Sequence, residues 1–194
     1  VAPYPAWNAV SKDAWQRGAT AADGDPDGGV WLPNECDARI RRDWFWSSKN
    51  ADTLKTVEQL IDMYYKSVGH GAVLLLNNTP DSTGLIPECD AKRSAEFGAE
   101  IRRRFGESLA EASGQGDTVE VSLPEPAKID HVVTTEDIAQ GERVLEYVIE
   151  GFCGVEWKEL ARGTAIGHKK IHKIVPTEVS KVRIRVLKSA ELPI

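Results

Sequence analysis

Two carboxylates, Glu35 and Asp37, stand one residue apart in the stretch from Gly29 to Ser47, in the company of three tryptophans, one phenylalanine and three arginines. In an extended segment positions i and i+2 face the same way, so both acids point to one side. Carboxylates beside aromatic faces and a guanidinium suit a sugar site. The acids bind hydroxyls or move protons, and indoles pack on the apolar C–H face of a ring. The same residue types also suit an Arg–carboxylate network that pins a loop over a tryptophan core. In that structural reading Asp37 pairs with Arg39 or Arg41. Trp44, Phe45 and Trp46 cannot all face one site in a regular structure, so one of the two tryptophans is expected at the ligand and the other in the core.

Other reactive side chains carry weaker patterns. Asp23, Asp25 and Asp27 alternate as in a calcium loop but lack a glutamate at the twelfth position, which leaves a solvated turn. His168 and His172 are an i,i+4 pair without an acidic or cysteine neighbour, in a Lys-rich, β-patterned stretch, and no metal is expected there. Cys36, Cys89 and Cys153 match no ligand spacing and, being odd in number, no disulfide framework; they read as buried free thiols. His70, between Gly69 and Gly71, reads as a turn residue.

The elements that must position these residues follow from hydropathy and breakers. Residues 1–28 read as loop, and Val30 to Ile40 as a strand running into an active-site loop. A helix is expected at about 53–68, capped by Asp52 or Thr53, with Leu54, Val57, Leu60, Ile61, Tyr64 and Val68 on one face and Gly69 and Gly71 ending it. Residues 72–77 form a continuous apolar run that suits a strand covered on both faces, with Asn77 at its end. Pro87 opens a second helix through Phe97, Ile101 and Phe105, closed by Gly106. Strand, helix, strand, helix makes a pair of β/α units. Such a pair exposes faces and edges unless further strands cover them, so these units read as part of a larger layer structure. After a linker at 113–118 the pattern becomes period two, at 119–123, 129–133, 143–152, 156–161 and 179–187. Short strands with this punctuation argue an antiparallel sandwich.

The totals bound the partners. With 194 residues the chain suits one or two domains. Its net charge of −6 argues against nucleic acid or an anionic membrane surface. No apolar run approaches a membrane span, and no signal-peptide layout is present. The chain opens without methionine in an aromatic, proline-bearing segment and reads as a piece of something larger. Oligomeric state is not legible.

Six motifs stand in one order over residues 1–106: Trp31-Leu-Pro-Asn-Glu-Cys-Asp, Ile40-Arg with Trp44-Phe-Trp, Tyr64-Tyr-Lys-Ser-Val-Gly, Leu74-Leu-Leu-Asn, Pro80-Asp and Gly84-Leu-Ile. Together they resemble the end of the catalytic domain of α-L-fucosidases, glycoside hydrolase family 29, in the plant and bacterial branch. The tail resembles the galactose-binding-like β-sandwich that follows such barrels. The resemblance implies residues 1–112 as closing units of a (β/α)8-like barrel, then the linker, then a sandwich over 119–194. It implies a retaining exo-α-L-fucosidase acting on terminal α-L-fucosyl linkages of oligosaccharides or glycoconjugates, without cofactor, in a secreted or periplasmic setting. Glu35 matches the position of the acid/base glutamate in part of the family; in the branch nearest to this chain the alternative is that an upstream glutamate does that work and Glu35 contacts substrate or orients the site. Trp31, Asp37, Trp44, Trp46 and Asn77 are the expected sugar contacts. The nucleophilic aspartate lies in a Trp-x-Asp-type segment that nothing here matches, so this chain alone is expected to be inactive. Departures are Arg42-Asp43 where Pro-Gly is common, Ser47 where relatives often have histidine, and Asn78-Thr79 in place of a more apolar pair. A competing reading is a non-catalytic carbohydrate-binding module, with Tyr147, Phe152 and Trp157 as the aromatics its strands would offer.

Overall fold

The computed structural model describes residues 9–18 and 24–193. The part read as loop contains two short elements, β1 (Ala9–Val10) and α1 (Lys12–Gln16). Ser11 caps α1, its hydroxyl accepting the Ala14 N–H at 3.1 Å. The turn expected of the aspartate run forms at Asp25, whose carboxylate accepts the Asp27 N–H, while Asp23 lies outside the described residues. The strand expected over residues 30–40 is two strands. β2 (Val30–Trp31) pairs antiparallel with β1, and β3 (Glu35–Arg39) pairs parallel with β4 (Val73–Asn77). Pro33 breaks the ladder between β2 and β3, since it offers no N–H and restricts its neighbour.

Between the parallel strands runs α2 (Val57–Lys66). It starts later than expected because Thr56 caps it, in a capping box with Gln59. Thr53 is taken by a preceding 3-10 turn (Ala51–Thr53), where its hydroxyl donates to the Asn50 carbonyl. After β4 comes α3 (Glu88–Phe105), opened by Pro87 and closed at Gly106 as the sequence suggests. Leu60, Ile61 and Phe97 of the helices bury against Ile40, with Leu74 and Leu76 of β4 packed on them. Only that face of the strand pair is covered. Val73 and Leu75, on the other face, are 58% and 50% exposed. The run at 72–77, expected to be buried on both sides, is buried on one.

The second half is an antiparallel sheet in the order β5-β8-β6-β7. The stretches at 119–123 and 129–133 are one bent strand, β5 (Thr118–Thr134), because its register slips at Ser122/Ala127 and Ile129/His131 instead of stopping. β6 (Val144–Cys153) and β7 (Glu156–Gly163) form a hairpin. β8 (Lys170–Ser189) begins nine residues before the expected position and pairs with both β5 and β6. Its core gathers Ile129, Tyr147, Ile149, Ile174, Val179 and Val182.

The halves touch where α2 ends. The Ile171 N–H donates to the Gly69 carbonyl at 3.0 Å. Tyr65 stacks on the ring of His131 at 5.6 Å and joins its Nε2 through the phenol oxygen at 2.6 Å. Phe105 meets the same imidazole edge-on, and Arg104 donates to the Tyr65 hydroxyl at 3.1 Å.

Candidate active site

Glu35 and Asp37 both lie within β3, Glu35 as its first residue, rather than in the loop after it. Register partners in a parallel ladder share a face. Glu35 stands beside Val73, Asp37 beside Leu75 and Arg39 beside Asn77, while Cys36 and Ala38 turn toward the helices with Leu74 and Leu76. The two acids are therefore exposed on the uncovered face, next to apolar side chains, as the i,i+2 spacing predicts.

The ion pair expected between Asp37 and Arg39 or Arg41 is absent among the described residues. Arg41 points to the opposite side and is buried against Asp90 of α3, its Nε 2.8 Å from one carboxylate oxygen and its Nη2 2.9 Å from the other. Nη1 donates to Asn50 at 2.9 Å. The hydrogen bonds it donates to Asp90 raise the already high pKa of the guanidinium, so the charge is permanent. The reason for the different partner is that the strand ends at Arg39. The Asn77 carbonyl accepts the Ile40 N–H, and the chain then turns inward, so Arg41 no longer shares the face of Asp37 and Arg39. Lys55 secures that turn from α2's side, its ammonium donating to the carbonyls of Arg39 at 2.6 Å and Arg41 at 3.0 Å. Burial, and then Arg39, lower the Lys55 pKa.

This network holds the loop that bears the aromatics. Asn50, buried, donates to the Phe45 carbonyl and to Asp43. From β4's end the Asn77 amide donates to the Trp44 carbonyl at 2.9 Å, and the Thr79 hydroxyl donates to the same oxygen at 2.7 Å. Asn77 thus spends its amide N–H groups on Trp44 and Thr79. Trp44 is exposed with the Arg39 guanidinium 5.1 Å from its ring centroid, a cation–π pair at the C-terminal end of β3. Trp46 is half-buried and belongs to no buried cluster among the described residues, so the core tryptophan expected of this loop is not found there. Phe45, at 82%, is the more exposed. Trp31 is also exposed, ahead of Glu35 on β2. Ser47 accepts the Lys49 N–H within its own turn.

Sequence reasoning missed Asn50, Thr79 and Asp90. Asp90 was legible as an acid in the first turn of a helix, a position that favours negative charge, but nothing local names a partner 49 residues away. The thiols differ from expectation: Cys36 is buried, Cys153 half-buried and Cys89 exposed at the mouth of the Arg41 pocket. His168 is exposed ahead of β8, whereas His172 is buried and engaged with the Tyr147 hydroxyl at 2.9 Å. Burial, reinforced by Lys170 and His70, drives the His172 pKa down to about 4, so it is neutral. Among the described residues no group of three or more acids, histidines or cysteines is placed to hold a metal. On the sheet, the Arg183 guanidinium sits 4.0 Å from the Trp157 ring centroid and Phe152 meets its edge.

Comparison with known proteins gives one consistent answer. The sequence pattern of the α-L-fucosidase family matches residues 10–104. Alpha-L-fucosidase 1 of Arabidopsis thaliana is 30% identical over 77% of this chain, which spans 36% of the plant protein. The crystal structure of a candidate α-L-fucosidase from Bacteroides thetaiotaomicron VPI-5482 superposes with a TM-score of 0.91 at 34% identity, over 98% of this chain and 46% of that one. A Ruminococcus gnavus GH29 fucosidase in complex with fucose superposes with a TM-score of 0.83 at 28% identity, over 97% of this chain and 46% of that one. The chain spans less than half the length of each of these relatives.

Proposed function

Because the chain belongs to the α-L-fucosidase family, we propose that the full enzyme is a retaining exo-α-L-fucosidase that releases terminal α-L-fucosyl units from glycans. The observation that carries the reading is the face of β3 and β4, where Glu35 and Asp37 stand exposed beside Val73 and Leu75. An apolar strand face bearing acids is unstable in water and useful inside a barrel, so these two β/α units are read as closing units of a (β/α)8-like barrel. Residues 1–112 belong to that barrel in this reading. The sheet of 119–194 is its accessory domain, a galactose-binding-like sandwich, and the setting is secreted or periplasmic.

Retaining pairs hold their carboxyl groups about 5–5.5 Å apart on the two sides of the scissile bond. In this reading the nucleophile comes from another strand of the barrel. We assign Glu35 as the acid that protonates the leaving oxygen and then the base that activates water. Asp37 binds a sugar hydroxyl, Trp44 packs on the sugar with Arg39 behind it, and Asn77 positions the Trp44 loop. Trp46 supports that loop from within, and Trp31 lies on the approach to Glu35. The reading of the sheet as a stand-alone binding module has less support, since Arg183 already occupies the Trp157 ring.

In the full enzyme Glu35→Gln should lower turnover of an aryl α-L-fucoside at least about a hundredfold. A highly activated leaving group should restore the first step, and azide should rescue Glu35→Ala. Asp37→Asn should raise KM without azide rescue. Unchanged kinetics in Glu35→Gln would remove it from the site, and loss without rescue would reduce it to a substrate contact. The 194-residue chain alone should show no turnover.

A further inference from the structure

Lys55 binds three successive carbonyl groups at the end of β3. Its ammonium donates to the oxygens of Arg39 at 2.6 Å and Arg41 at 3.0 Å, and its own N–H donates to that of Ile40 at 2.9 Å. In a regular strand the carbonyls of neighbouring residues point to opposite sides, and each residue turns its N–H and C=O to the same neighbouring strand. Ile40 departs from this pattern: its N–H goes to the Asn77 carbonyl of β4 and its C=O to Lys55. The bend that results separates Arg39, left on the uncovered face, from Arg41, which enters the buried pocket of Asp90.

Lys55 is itself held from two sides. It directly precedes Thr56, the cap of α2, and Arg93 of α3 donates to its carbonyl while pairing with Glu96 at 3.0 Å. Burial, and then the nearby Arg39 charge, work against an ammonium at this place, so the two carbonyls are what keep it there. Both helices therefore bear on the end of β3 through one side chain.

The bend matters because of what Arg39 carries. Its guanidinium lies 5.1 Å from the Trp44 ring centroid, and the Trp44 carbonyl is fixed from the other side by Asn77 at 2.9 Å and Thr79 at 2.7 Å. The cation–π pair thus stands between two anchors, β4 behind the tryptophan and Lys55 behind the arginine. An apolar side chain at position 55 would leave the Arg39 and Arg41 carbonyls without this donor. The bend would then relax and carry Arg39 away from the indole.

We propose that Lys55 is a positioning residue: it sets the Arg39–Trp44 pair, and through that pair the aromatic surface offered to the sugar. Its effect on the sugar rests on the fucosidase reading, and its effect on Trp44 does not. Indole N–H signals of the six tryptophans can be followed in 15N-labelled chain, with Trp44 assigned by the signal lost in Trp44→Phe. Lys55→Met should shift the Trp44 signal and leave those of Trp15 and Trp157 in place. Lys55→Gln, with one amide in place of the ammonium, should shift it the same way by less, and decides the matter if Lys55→Met does not fold. Arg39→Leu should displace the same signal, and adding Lys55→Met to it should move it little further. In the full enzyme Lys55→Met should raise KM for an aryl α-L-fucoside roughly 2–10-fold with kcat nearly unchanged, as lost uniform binding does. An unmoved Trp44 signal in the folded variant overturns the proposal, and so does a second, independent shift in the double variant. A moved signal with unchanged KM overturns the role at the sugar, whereas the fucosidase reading itself stands or falls on Glu35→Gln.

Discussion

Asp90→Ala should be the most damaging single change in the first half, because it strands the Arg41 charge. The two side chains are 5% and 1% exposed, so neither can turn to water when its partner goes. Removing one member of such a pair costs roughly 3–5 kcal/mol, a large share of the 5–15 kcal/mol that stabilises a typical domain. The pair itself is a different matter. Replacing both members by apolar side chains of similar size is often neutral, since the desolvation cost disappears with the attraction. Arg41→Met with Asp90→Leu should therefore recover part of the loss. Recovery should fall short by about 1–3 kcal/mol, because Asn50 then loses the guanidinium that satisfies its carbonyl. Urea unfolding followed by tryptophan fluorescence, on the two single variants and the double, closes the cycle. A cost below about 1 kcal/mol for Asp90→Ala, or a double variant as damaged as the singles combined, would refute the account of a buried, mutually dependent pair.

Three further outcomes are expected. Tyr65→Phe removes the hydroxyl shared by His131 and Arg104, and should cost about 1 kcal/mol with faster hydrogen exchange at the end of α2 and around residue 131. Acid should weaken the sheet in two steps. Between pH 6.5 and about 4 the unfolded chain binds a proton that buried His172 refuses, and between 4.5 and about 2 it binds one that Glu150, held by Arg185 and Arg183, refuses. Stability thus falls as pH drops through both windows; His172→Gln should flatten the upper one and Glu150→Gln the lower, as read by the unfolding midpoint against pH. Val73→Thr with Leu75→Thr should improve the solubility of this chain, measured by light scattering, with little loss of stability, because both side chains already meet water.

What was legible in the sequence was what repeats locally. Apolar spacing located α2, α3 and β4, and the i,i+2 rule placed Glu35 and Asp37 on one face. The start of α2 was also legible in principle, since Thr56 and Gln59 have the spacing of a capping box, although Asp52 and Thr53 stand nearer the start of the apolar face. The merging of two period-two stretches into β5 was hidden, because Pro124 and Pro126 look like a turn and act here within a slip of register. The partner of Arg41 was out of reach for a different reason. Asp37 is closer along the chain, and only the packing of α3 under the loop brings Asp90 nearer in space.

β8 has a consequence for how this protein tolerates change in length. Its first residues hydrogen-bond to the turn after α2 through Ile171, its middle pairs on both edges, and its last residue leads into Ala190, whose N–H donates to the Arg143 carbonyl. One residue inserted between 175 and 185 would flip every later side chain to the opposite face and move Ala190 out of register with Arg143. The hairpin tip at Gly154, with open space where a Cβ would stand and a φ of 74°, is free of that constraint. Length variation among relatives should therefore collect at 153–156 and spare β8, a pattern set by geometry before any selection on chemistry.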